Sequence, residues 1–155
     1  MAMPGIRIES SFRRLVAGAI VALVFAAGAA AAAPDFGILI KKKDITTTAK
    51  FYPYTVNGIY MEVFAVRASD GTIRTALNTC QVCYDSGRGF YKQEGNVFVC
   101  QNCGNRFSLD QIEKIKGGCN PVPIMAGEKT DLGGTIGIPK PYLAKVSPYF
   151  ARWKR

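Results

Sequence analysis

Two Cys-x-x-Cys pairs, Cys80-Gln-Val-Cys83 and Cys100-Gln-Asn-Cys103, stand sixteen residues apart in a chain that has no histidine. Two residues between cysteines let both sulfurs face one point across a tight turn, and two such turns offer four thiolates in a tetrahedron. Zn²⁺, a single iron and an iron–sulfur cluster all accept that set. Gly87 and Gly89 after the first pair, and Gly104 after the second, let backbone N–H groups turn toward the sulfurs. The alternatives are two disulfides or a thiol–disulfide redox site. A redox dithiol usually opens a helix after a strand, whereas both pairs here sit at strand ends among glycines. The fifth cysteine, Cys119 in GGCNPVPI, is read as a spare ligand, a free thiol near the site or a small buried hydrophobe.

The missing histidine excludes a Ser-His-Asp or Cys-His catalytic unit and any metal site that needs imidazole. Asp85 and Glu94 read as loop solubilisers rather than general acids, and no Gly-rich phosphate loop is present. A non-catalytic role is favoured, with a thiol–disulfide oxidoreductase as the enzymatic alternative.

The 155 residues suffice for one modest domain and a targeting segment. Arg7, Arg13 and Arg14 precede nineteen uncharged residues, 15–33, rich in Ala and Gly. This is the layout of a secretory signal; an uncleaved anchor is the rival, since such a run reaches about 28 Å as a helix. Arg13-Arg14 also fits a twin-arginine signal loosely. Export to the periplasm or the outer face of the cytoplasmic membrane is expected, and a nucleic-acid partner is not.

The net charge of +9 gathers partly at Lys41, Lys42 and Lys43 and at Lys140, Lys145, Arg152, Lys154 and Arg155. Such flanks suit an anionic lipid surface or an acidic partner, although a solvated flank that aids solubility is the favoured reading. The expected organisation is a signal or anchor over 1–33, a basic linker over 34–50, a cysteine-rich β domain over 51–138 and a basic tail over 139–155.

Strands dominate the middle. Asn57-Gly58 and Asp70-Gly71 are hairpin signals. Between them, alternation puts Ile59, Met61, Val63 and Ala65 on one face and Tyr60, Glu62, Phe64 and Val66 on the other. Residues 72–77 supply the partner strand, and Phe90-Tyr91 pairs with residues 97–99 around a turn at 93–96. Ser108 and Gln111 have capping-box spacing, which predicts a helix of about two turns with Ile112 and Ile115 inward, stopped at Gly117-Gly118. A short amphipathic helix interrupted at Pro148 is expected near the C-terminus.

Residues 51–124, with the phrases NTCQVCYDSG, CQNCGNRF and GGCNPVPI, resemble the bacterial FtrD-like membrane iron–sulfur domain family. The resemblance implies a cluster-carrying partner of a ferrous-iron uptake system, working with a membrane-embedded iron permease or a redox partner. It favours a [2Fe–2S] cluster on Cys80, Cys83, Cys100 and Cys103, with zinc or mononuclear iron as alternatives and Cys119 as a possible ligand.

A more distant likeness is to Rieske domains. Asn78 before Cys80, the loop CQNCGNRF and the closing segment GCNPVPI carry it. Both Rieske histidines are cysteine here, and the first loop is one residue longer. This likeness implies a mainly β fold, a small antiparallel sandwich or barrel, with the two cysteine loops at one tip and a short helix after the second. Imidazole ligands hold Rieske potentials at roughly −150 to +300 mV, whereas all-thiolate plant-type clusters lie near about −400 mV. A low-potential carrier insensitive to pH is therefore expected, as no ring N–H is present to lose a proton.

Overall fold

The computed structural model describes residues 34–155. The expected signal or anchor lies outside these residues, and among them no helix is long and apolar enough to cross a membrane. The strands are β1 (Phe36–Lys41), β2 (Lys50–Val56), β3 (Ile59–Arg67), β4 (Ile73–Cys80), β5 (Tyr91–Glu94), β6 (Val97–Cys100), β7 (Arg106–Ser108), β8 (Pro121–Pro123), β9 (Thr130–Asp131) and β10 (Thr135–Pro139). One helix, α1 (Lys140–Val146), follows, and a 3₁₀ turn at Ser147–Phe150 continues it.

The fold is mainly β, but it consists of three small antiparallel sheets rather than one sandwich or barrel. Their orders are β1-β10-β9, β2-β3-β4-β8 and β5-β6-β7. Local chemistry sets the hairpins. Asn57 and Gly58 both have positive φ, 52° and 76°, the combination a two-residue primed turn needs between β2 and β3. Pro53 sits in β2 and two further prolines in β8, the edge strands of the central sheet, where a missing N–H is tolerated.

Period-two alternation in β3 decides how the layers stack. Met61, Val63 and Ala65 face one core, with Ile38, Ile40, Leu77, Ile136, Ile138, Leu143, Phe150 and Trp153. Phe64 and Val66 face a second core, with Ala76, Tyr91, Phe98, Leu109, Ile112 and the sulfur-bearing Cys80, Cys83 and Cys100. Phe64 and Phe98 stack at 4.4 Å between ring centroids and join the central sheet to the third. Each such fully buried side chain contributes roughly 1.5–3 kcal/mol through burial.

Three expectations change. Residues expected as a linker contribute β1, which pairs with β10 from Phe36↔Pro139 to Lys41↔Thr135, because Ile38 and Ile40 supply one wall of the first core. Residues expected as a tail form α1 and the turn after it, and bury Leu143, Val146, Phe150 and Trp153. The helix expected after the second cysteine pair is a single 3₁₀ turn, Leu109–Gln111. Its capping box is present and Ile112 is buried, yet Ile115 is 38% exposed. Glu113 takes φ +67° and ends the helical path, because its carboxylate is drawn to β4 instead.

Candidate metal centre

Both cysteine turns leave the ends of strands. Cys80 is the last residue of β4 and Cys100 the last of β6, so each pair opens where its ladder stops. The segment at Gly89 and Phe90 ties the turns together: the Cys80 N–H donates to the Gly89 carbonyl and the Gln101 N–H to that of Phe90, both at 2.9 Å. Within the second turn Gly104, at φ +76°, donates to the Cys100 carbonyl, and Cys100 donates to that of Asn105. Gly89 packs directly on the Cys83 carbonyl, leaving no space for a side chain.

All five sulfurs converge. Those of Cys80, Cys83, Cys100 and Cys119 lie within 4.8 Å of one another. Cys119 Sγ is 3.3 Å from Cys80 Sγ, 3.6 Å from Cys83 Sγ and 2.8 Å from Cys103 Sγ. Cys80, Cys83 and Cys100 are buried, Cys119 is half-buried and Cys103 is exposed. Of the four cysteines expected from the paired spacing, Cys80, Cys83 and Cys100 belong to this group; Cys119 takes the fourth place in it, and Cys103 lies outside, in contact with Cys119.

The loop carrying Cys119 is held at several points. Asp110 accepts bonds from the Ser69 N–H and hydroxyl, both at 2.8 Å. Glu113 accepts the Thr75 N–H at 2.8 Å and pairs with Lys129 at 2.7 Å. The Asn120 amide donates to the Ile115 carbonyl, and the Tyr91 hydroxyl donates to the Cys119 carbonyl at 3.0 Å. Tyr91 and Glu113 were missed by sequence reasoning. An aromatic in a strand and an acid in a loop carry no local mark of these roles.

Burial and hydrogen bonding divide the thiols. Burial opposes ionisation of Cys80, but the neighbouring Tyr91 hydroxyl, the Cys83 N–H, the Cys119 thiol and the Val82 N–H outweigh it and hold the thiol below its usual value. Cys103 is likewise lowered against burial, by Cys119 and then by the Asn105 N–H. Burial pushes Cys83 up to about 11 and, with the neighbouring thiols, pushes Cys119 up as well.

The donor set is soft throughout, thiols with no imidazole, which suits zinc and iron–sulfur chemistry. A family model described as membrane iron-sulfur containing protein, FtrD-like, matches residues 44–150. The chain belongs to this FtrD-like family. The match extends on both sides of the 51–124 stretch that carries the sequence resemblance and takes in β2 to α1. Neither the curated proteins nor the solved structures provide a match.

The cysteines fit the iron–sulfur group that the family description implies in donor type and number. Beside them, a cleft of about 830 Å³ is lined by Phe51, Glu62, Asn78, Phe90, Tyr91 and Lys154 among others, so Tyr91 forms a wall shared by the cleft and the thiols. Asn78 fixes this wall: its side-chain oxygen accepts the Tyr91 N–H at 2.9 Å, and its amide donates to Glu62 at 2.8 Å.

Proposed function

We propose that this FtrD-like chain is an electron carrier of the cell envelope, holding a low-potential [2Fe–2S] cluster on its cysteines and serving a ferrous-iron uptake system. The gathering of five sulfurs at adjacent strand ends, with three buried and one exposed, carries the reading. A bound cluster supplies one-electron transfer. The protein's own part is to hold the thiolates and to leave one edge accessible. N–H groups aimed at Cys80 and Cys103 offset thiolate charge, and the second core keeps water from Cys80 and Cys100. The exposure of Val82 (65%), between the first two cysteines, and of Cys103 supports contact with an electron partner, an iron permease or its redox companion, at this edge.

The basic flanks support a membrane surface less than their sequence suggests. Lys42 pairs with Asp131, Lys140 with Asp35, Arg152 with Asp85 and Lys154 with Glu62. Location on the outer face of the cytoplasmic membrane rests on the family description and on the apolar segment over 15–33.

One observation favours a second reading. Four sulfurs within 4.8 Å are spaced like the vertices around a single ion, because a tetrahedron with 2.3 Å metal–sulfur bonds has edges of about 3.8 Å. A two-iron core needs its ligand pairs further apart. The alternative is a single zinc or iron that stiffens a binding module. Metal and sulfide analysis with a visible spectrum, on anaerobically purified full chain, decides between them. The cluster reading expects a red-brown protein containing iron and acid-labile sulfide, with a potential near about −400 mV that is flat with pH. A colourless zinc protein overturns it.

A further inference from the structure

Four thiolates close a tetrahedral site, and this chain brings five. We propose that Cys119 closes the shell with Cys80, Cys83 and Cys100, and that Cys103 is an exposed exchange thiol that replaces Cys119 to admit or release the metal. The inference rests on the second reading above, in which these thiols hold a single ion, and it assigns the ligand set differently from the pairing of the motifs.

The geometry separates the two candidates for the fourth position. Cys119 Sγ stands 3.3 and 3.6 Å from Cys80 and Cys83, near the edge length of a thiolate tetrahedron, and belongs to the group whose sulfurs are all within 4.8 Å. Cys103 falls outside that group; it touches Cys119 at 2.8 Å and also neighbours Cys100 and Cys83. The backbone of Cys119 is positioned by the Tyr91 hydroxyl on its own carbonyl and by the Asp110 and Glu113 tethers earlier in the loop. Solvent meets Cys103 first, Cys119 next, and the other three last.

The exchange balances without an oxidant or a further reactant. The metal–sulfur bond to Cys119 breaks as one to Cys103 forms, and the proton leaving the Cys103 thiol is taken up by Cys119 across their contact. No electron is transferred. With Cys103 in place of Cys119, the shell would include the exposed thiol, which a thiol of a donor or acceptor molecule could reach.

The test is alkylation with N-ethylmaleimide and peptide mapping, on the full chain carrying its own metal and, in parallel, loaded with Co²⁺. Cobalt uptake is followed by the sulfur-to-cobalt absorption band. Cys103 is expected to react about tenfold faster than the other four, as the exposed and unbound thiol. Cys103→Ser should keep one cobalt per chain with an unchanged spectrum. Cys119→Ser should keep cobalt with an altered spectrum, and Cys103 should now be protected.

Labelling of Cys119 in the loaded wild-type chain overturns the assignment, as does loss of cobalt from Cys103→Ser. If Cys119→Ser fails to fold, the wild-type labelling alone still decides. A chain that binds neither its own metal nor cobalt is recognised before any labelling, and in that case the metal-centre reading itself fails.

Discussion

Gly89 shows how little freedom surrounds the cysteines. A Cβ there would overlap the Cys83 carbonyl and the Tyr84 backbone, none of which can swing aside as a side-chain tip can. Gly89→Ala should cost about 2–3 kcal/mol, measured by urea unfolding, with a matching loss of bound metal. A second expectation concerns protons. The metal-free Cys83 thiol is raised to about 11 and Cys119 is also raised, so both are protonated at neutral pH and must lose their protons to bind metal. Apparent metal affinity should therefore rise with pH throughout the range below about 11 and fall on acidification, with proton release detectable in a weakly buffered titration. At this scale the two cysteine pairs were legible because their spacing is itself the signal. Cys119 stayed ambiguous, since a single cysteine announces nothing until the chain folds and places its sulfur beside the others.

The loop between β7 and β8 depends on one partly buried ion pair. Glu113 and Lys129 have side chains 13% exposed, and Glu113 also satisfies the Thr75 N–H, one residue before the Ala76↔Pro123 pair of β4 and β8. Lys129→Met should destabilise by about 3 kcal/mol, because it strands a carboxylate away from water. In urea titrations the Glu113→Gln, Lys129→Met double variant should lose less than the sum of the two singles, the sign of a coupled pair. The same residue explains why a helix was expected here and only a turn forms. Capping-box spacing from Ser108 to Gln111 starts a helix correctly, but bonds to residues nearly forty positions away in sequence turn the chain at Glu113. The hairpins were legible for the opposite reason. Asn57-Gly58 and the alternation in β3 act between neighbours, and nothing distant competes with them.

For the whole molecule, the flanks are structure rather than tether. β1 pairs with β10 across roughly a hundred residues, a contact no local pattern in a short apolar run next to lysines can reveal. Trp153 packs against Phe150 at 5.1 Å, Phe90 at 6.1 Å and Tyr60 at 6.3 Å, joining the last turn to β3 and to the segment between the cysteine pairs. Trp153→Ala should cost about 3–5 kcal/mol by thermal or urea unfolding, and it should loosen metal binding because the same ring supports Phe90. The final residue is tied in as well, since the Arg155 N–H donates to the Gly87 carbonyl at 2.9 Å, four positions beyond Cys83. That bond has a practical side. A polyhistidine tag fused after Arg155 emerges against the loop that follows Cys83 and brings imidazoles, which this polypeptide otherwise lacks, toward the first cysteine turn, so metal stoichiometries are best taken on protein purified with its handle elsewhere.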